Sequence, residues 1–370
     1  MAIDLPRNKR WTSVDDLILQ WRERVRDAAA HGRALCIRGG GTKRFYGRPE
    51  LGEPLDTRAC TGIINYEPSE LVVTVRAGTP LAELEAKLAA RGQMLAFEPP
   101  HFGPDATVGG CVAAGLAGPR RAAVGGVRDF ILGARLIDGR GEVLRFGGEV
   151  MKNVAGYDVS RVLAGSLGTL GLILDVSLKV LPKPMAEASL RFEMDEAAAL
   201  HQLNAWGGQP LPISASAWQN GILELRLSGA AAAVDAAVAR LGGERIPDTV
   251  ADARWRGLRE QTEAFFAGAQ PPRPLWRLSL PSDALAIELG DSQLVEWGGA
   301  QRWLHTDLPP ETIRARVAAL GGHATLFRNG AREGAVFHPL TAPMLALQRN
   351  LKSAFDPAGV FNPGRLYEGL

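Results

Sequence analysis

Four segments of this 370-residue chain concentrate the residue types that could hold a large anionic ligand. The first is Arg38-Gly39-Gly40-Gly41-Thr42-Lys43. Glycines let backbone N–H groups turn toward anionic oxygens, Thr42 offers a hydroxyl, and Lys43 or Arg44 offsets charge. That is the chemistry of a pyrophosphate cradle; a tight turn after an edge strand is the plainer alternative. Neither common phosphate template applies. Arg44 stands where the sixth position of a G-x-G-x-x-G fingerprint needs glycine, and G-x-x-x-x-G-K-[ST] occurs nowhere. Thr107-Val108-Gly109-Gly110, Lys152 to Asp158, and Gly165 to Gly171 are the other three segments. All four fall in the first half of the chain, more than one turn would require.

Other reactive types are sparse. The six histidines, His31, His101, His201, His305, His323 and His338, form no closely spaced pair. His101, in Glu98-Pro99-Pro100-His101-Phe102-Gly103-Pro104, is the candidate base or proton donor, with a loop histidine bonded to backbone as the alternative. Arg277, between Trp276 and Leu278, is the candidate anchor for a substrate carboxylate, or else a rim arginine on a sheet. Cys36, Cys60 and Cys111 lie far apart, so no disulfide framework, zinc set or iron–sulfur set is expected. No metal site is expected. With 42 basic against 40 acidic side chains, nothing points to nucleic acid. No apolar run reaches the roughly 20 residues of a membrane span, and the start has no signal-peptide core, so a cytoplasmic protein is expected.

The elements that must position these residues are legible in outline. Ser13 with Asp16 caps a helix in which Val14, Leu17, Ile18, Trp21 and Val25 share one face, leaving Arg22, Glu23, Arg24, Arg26 and Asp27 on a solvated face. Strands are expected at 34–37, 71–76, 131–137, 142–146 and 172–181, with a helix at 81–91 and a helical piece near 157–163. Asp138-Gly139-Arg140-Gly141 reads as a hairpin turn. The stretch 104–126 has almost no apolar periodicity. Leu181-Pro182-Lys183-Pro184 reads as a boundary that continues neither sheet nor helix. Beyond it, strand 187–194, helix 195–206, strands 214–218 and 222–227 and helix 230–241 follow a β-α-β-β-α order of ferredoxin-like type. Strands at 275–280, 294–297 and 300–305, a helix at 310–320 and a helical tail at 341–355 complete the reading. No internal repeat is visible.

Taken in order, Arg38–Thr42, Pro104–Gly110, Arg128-Asp129, Gly165–Gly171 and Asn362-Pro363-Gly364-Arg365 resemble the vanillyl-alcohol-oxidase-type (PCMH-type) FAD-binding family. Within it, Lys152–Asp158 and Phe355–Tyr367 are most similar to FAD-binding E subunits of bacterial glycolate oxidase. The resemblance implies an α+β fold: a two-subdomain FAD-binding domain (1–181), a ferredoxin-like α+β cap (185–335), and a tail (340–370) that returns to the first domain. It assigns Arg38, Gly39, Gly40, Gly41 and Thr42 to the pyrophosphate, and Thr107, Gly109 and Gly110 to pyrophosphate and flavin. Gly165, Ser166, Gly168 and Thr169 would border flavin or ribityl chain, Ile173 the adenine, and Asn362 and Arg365 the flavin edge. Thr42 and Lys43 stand where covalent members carry histidine, so noncovalent FAD is expected.

The paired metal-binding histidines of the related hydroxy-acid dehydrogenases are absent here. Three functional readings remain open: an FAD-binding subunit that works with a catalytic FAD subunit and an iron–sulfur subunit on glycolate, a self-sufficient 2-hydroxy-acid dehydrogenase, and a non-catalytic scaffold. For the first, peripheral attachment to the inner face of the cell membrane would come through partners.

Overall fold

The computed structural model describes residues 13–148, 158–267, 272–290 and 293–370. Helix α1 (Val14–Ala30) starts where the Ser13 hydroxyl accepts the Asp16 N–H. Its apolar face packs on Leu35, Leu55, Leu172 and Leu174. On its polar face Glu23, Arg26 and Asp27 are exposed as expected, while Arg22, Arg24 and Arg26 also donate to the carbonyls of Gly141, Pro54 and Arg140. Strand β1 (Leu35–Arg38) pairs in parallel with β2 (Glu53–Asp56), and Phe361 of the tail bridges β1 from the other side.

An antiparallel five-stranded sheet carries the rest of the first half, in the order β3-β4-β8-β6-β7. Its members are β3 (Ile63–Glu67), β4 (Val72–Arg76), β6 (Ile131–Ile137), β7 (Val143–Gly147) and β8 (Leu172–Lys179). Strand β8 is buried on both faces, which explains its nearly continuous apolar run. One face receives α1. The other receives α2 (Leu81–Ala89) and α3 (Val108–Ala114) in a single core around Val73, Leu84, Phe97, Val112 and Val176. Each such leucine or valine taken from water contributes about 1.5–3 kcal/mol.

Two expectations change here. Residues 104–126 hold α3 and the single-turn helix α4 (Arg121–Val124), and a second single turn, α5 (Val127–Phe130), follows them. The α3 sequence, VGGCVAA, hid its helix because close packing needs small residues; a Cβ on Gly109 would lie 2.7 Å from Ala77 Cβ. Nor does Leu181-Pro182 end the sheet pairing. These residues form β9 (Leu181–Pro182) against β5 (Gln93–Met94), because a two-residue edge pairing asks proline for no interior ladder bond. Of the helical piece near 157–163, a 3-10 turn at Ser160–Leu163 is present. The motif residues 152–157 lie outside the described residues.

The second sheet has eight antiparallel strands in the order β13-β10-β12-β11-β15-β16-β14-β17. Its first half runs β10 (Ala186–Glu193), α6 (Glu196–Gly207), β11 (Ile213–Gln219), β12 (Ile222–Gly229), α7 (Ala231–Leu241) and β13 (Glu244–Ile246). That is the ferredoxin-like order expected. After α8 (Asp248–Glu260) and α9 (Ala264–Ala267), β14 (Leu275–Ser279), β15 (Gln293–Glu296), β16 (Gln301–His305), α10 (Pro310–Ala319) and β17 (His323–Arg328) repeat the spatial order. The two units meet edge to edge at β11 and β15. The repeat is topological, and no matching residue pattern advertises it in sequence. Helix α11 (Ala342–Phe355) then leads the tail back to β1, with Asp356 closing it.

The two sheets are joined by one apolar cluster. Tyr46, Leu116 and Leu167 of the first half pack with Trp255, Phe266, Trp303 and Phe327 of the second.

Candidate functional site

The end of β1 opens into a cleft of about 580 Å³ lined by residues 38–44, Glu50, Thr107, Gly110, Asn362 and Arg365. Among the described residues, the backbone N–H groups of Gly39 through Lys43 donate to no protein acceptor. Gly41 reaches this conformation at φ +73°, and any side chain on Gly40 would overlap the Asp105 carbonyl. Five consecutive residues with unpartnered amides line the cleft, as an anion cradle requires.

The charges around it are arranged rather than merely present. Arg38 is not a free cation: its Nε and Nη2 donate to Glu50 Oε2 at 3.2 and 2.9 Å, and Arg44 Nε joins at 2.9 Å. Arg38 therefore supplies backbone, while its guanidinium is held aside. Arg365 is different. It is 5% exposed, its Nη2 donates to Arg44 O, and its Nη1 has no partner. Burial, then the neighbouring Arg332, pushes it down to about 10. Lys43 Nζ bridges Thr42 Oγ1 and the His101 carbonyl, and burial lowers its pKa.

A second chamber of about 400 Å³ shares Ile37, Gly39, Gly110, Ala113, Leu167 and Asn362 with the first. Gly109, Gly168 and Ile173 line it, so these join the Arg38–Thr42, Thr107, Gly110, Asn362 and Arg365 set. Asn362 works as a rivet. Its Oδ1 accepts the Ile37 N–H at 2.8 Å and its Nδ2 donates to Leu167 O at 2.6 Å. Gly165, Ser166 and Thr169 are not brought to this cleft; they line a separate hollow beside Phe337, Leu366 and Tyr367. Beneath it, the buried Lys352 Nζ donates to the carbonyls of Thr169 and Phe361 and to Asp356.

His101 lines neither chamber. Its Nε2 lies 3.0 Å from Glu85 Oε2, and its N–H and that of Phe102 both donate to Glu260 Oε2 on α8. Arg277 lies elsewhere, in a smaller pocket between the two sheets with Glu296, Gln261, Trp303 and Phe327. The sequence reading missed Glu296 and Gln261. A glutamate in Leu294-Val295-Glu296-Trp297, a strand otherwise apolar, was the available signal.

The cleft fits the FAD implied by the glycine segments. Unpartnered amides and the orphaned Arg365 Nη1 suit pyrophosphate or carbonyl oxygens, and the second chamber offers apolar walls. Comparison with known proteins agrees. Residues 18–147 match the FAD binding domain family. The Escherichia coli glycolate oxidase subunit GlcE is 50% identical over 94% of this chain and 97% of its own length. A D-lactate dehydrogenase from Archaeoglobus fulgidus is 24% identical over 91% of this chain and 86% of its own. Glycolate oxidase subunit GlcD of Bacillus subtilis is 30% identical, but over 46% of this chain and 37% of its own. In fold, alkyldihydroxyacetonephosphate synthase superposes with a TM-score of 0.62 at 14% identity, covering 93% of this chain and 75% of that one. With its α+β architecture, anion cradle and end-to-end similarity to GlcE, the chain belongs to the glycolate oxidase GlcE family of FAD-binding-domain oxidoreductases.

Proposed function

We propose that the chain holds FAD noncovalently and serves as the FAD-binding subunit of a complex that oxidises glycolate to glyoxylate, together with a catalytic FAD subunit and an iron–sulfur subunit. The observation that carries this reading is the similarity to GlcE along essentially both chains. In it, residues 1–181 and the tail hold the cofactor and residues 185–335 form the cap. The amides of Gly39 to Thr42, with Thr107, Gly109, Gly110 and Arg365, would hold pyrophosphate and flavin, and Ile173 would border adenine. Bound there, FAD supplies the two-electron chemistry that CH–OH oxidation needs. The chain's residues bind it, exclude water and offset its charge. Noncovalent attachment is supported by the buried thiols near the cleft: burial pushes Cys111 up to about 12 and raises Cys36 as well.

In this reading the subunit relays electrons or supports assembly, in the cytoplasm or at the inner face of the membrane through its partners. No helix among the described residues is long and apolar enough to cross a membrane. The test is reconstitution. Glycolate-dependent dye reduction by the catalytic FAD and iron–sulfur subunits should rise on adding this chain. Equal rates with and without it would overturn the reading. A self-sufficient dehydrogenase is favoured only by the long match to the D-lactate dehydrogenase. Flavin bleaching by glycolate in the isolated chain, without oxygen, would select it.

A further inference from the structure

The loop that follows β17, an edge strand of the second sheet, reaches across to the first half. Its base is fastened to its own half, where the Leu326 N–H donates to Val336 O at 2.9 Å and the Arg314 guanidinium to Ala335 O. From this loop Arg332 extends to the segment that leaves the anion cradle. Its Nε donates to Gly47 O at 2.6 Å, and its Nη2 to Arg44 O at 2.9 Å and Arg48 O at 3.0 Å. Arg48 Nη1 donates back to Gly334 O at 2.6 Å. Arg332 is half-buried and makes no ion pair among the described residues.

Three carbonyls on one guanidinium is a specific arrangement. A planar fork of donors can span them, whereas the compact ammonium of a lysine cannot. No other described residue donates to the Gly47 and Arg48 carbonyls. Two contacts carry this clamp to the cleft. Arg44 O also accepts Arg365 Nη2 at 3.0 Å, and both Arg44 and Arg365 line the cleft. Gly47, at φ +88°, lies so near Leu167 that a Cβ would stand 2.7 Å from its Cδ1, and Leu167 lines both chambers. Arg332 itself lines neither.

We infer that Arg332 is a positioning residue for the cofactor: it fixes the exit of the cradle and the carbonyl shared with Arg365, so that docking of the second sheet and retention of FAD support one another. The inference rests on the reading of the cleft as an FAD site. A contact that only joined the halves would hold the empty and loaded chain alike. One that shapes the cradle favours the loaded chain, and by linkage the cofactor in turn steadies the loop.

The experiment compares the full-length chain with Arg332→Met, Arg332→Lys and Glu187→Ala, each stripped of FAD and reloaded. Glu187→Ala is the control: it breaks the ion pair with Arg120, a contact between the halves that lines neither chamber. On dilution FAD should leave Arg332→Met about tenfold faster than wild type, read as recovered flavin fluorescence, within the usual scale of coupling between two sites. Arg332→Lys keeps the charge yet should lose most of the same retention. Glu187→Ala should release FAD at the wild-type rate. Melting curves of the stripped samples check that each variant is folded. Hydrogen exchange needs no variant: in wild type, FAD should slow exchange of the 329–336 amides severalfold. Unchanged release from a folded Arg332→Met, full retention in Arg332→Lys, equally fast release from Glu187→Ala, or 329–336 exchange indifferent to FAD would overturn the inference. The two readings fail differently. Wild type that takes up no FAD sinks the cofactor reading and the clamp with it, whereas wild type that holds FAD with an idle Arg332 sinks only the clamp.

Discussion

Gly110 lines both chambers of the cleft and sits in the first turn of α3, where Thr107 Oγ1 accepts its N–H at 3.2 Å. An added Cβ would meet only the movable Thr107 hydroxyl, at 3.1 Å. Gly110→Asp therefore places a carboxylate in the cleft at a helix start, where acidic residues are tolerated. FAD retention should vanish while the melting temperature stays within a few degrees; a folded variant that keeps stoichiometric flavin contradicts the cradle. Gly40 is the poorer probe, since any side chain there overlaps the Asp105 backbone and unfolding would mask the charge effect. Arg365→Met removes a buried donor aimed into the cleft without touching the amide wall. Its FAD dissociation constant should rise roughly 10- to 100-fold, the scale of one charged hydrogen bond. Equilibrium dialysis against FAD reads it directly.

At the scale of elements, the halves meet through a polar network as well as through the apolar cluster. Glu98 accepts from Arg120 and Arg226, and Arg120 reaches Glu187, so loop, α4 entry and second sheet share one ion network. The two arginines hold the Glu98 carboxyl below the usual carboxylate range despite its burial. Glu98→Ala leaves Arg226 with only the Ser214 hydroxyl and Arg120 with only Glu187, and should cost up to about 3–5 kcal/mol, seen as a melting temperature lowered by several degrees. Glu296 gives the opposite sign. Its folded pKa, near 7, lies above the ordinary carboxylate value, so its neutral form favours the fold. Stability should fall as pH rises from about 5 to 8, by on the order of 3 kcal/mol at the limit, and Glu296→Gln should flatten that slope. Much of this element plan was legible in sequence, because the helical periods of α1 and α2 and the apolar runs of β6, β8 and β10 report burial directly. What was not legible has a shared cause. Helix α3 is built of residues too small to show a period, and β9 is too short to exclude proline. The repeat in the second sheet is a repeat of strand order rather than of residues.

Across the whole molecule, sequence reading assembled most of the cleft but not all of its expected lining. The motifs around Arg38, Thr107, Gly168 to Ile173, and Arg365 converge from four separate places in the chain, and Asn362 rivets the tail to them. Gly165, Ser166 and Thr169 turn to another hollow, since adjacent residues of a tight glycine turn cannot all face one side. His101 is spent on Glu85 at the contact with α8, a pairing across folded elements that spacing cannot reveal. The sequence also showed Arg277 as a candidate, but its nearness to Glu296 and Gln261 depends on sheet order and on the left-handed end of α8. The central claim is that one cleft, built from these distant segments, holds FAD without a covalent bond. The direct measurement is the visible spectrum of the full-length chain purified alone, followed by acid precipitation. The account predicts flavin absorbance near one FAD per chain, released entirely to the supernatant. A colourless chain that takes up no added FAD, or a yellow pellet after acid, would contradict it.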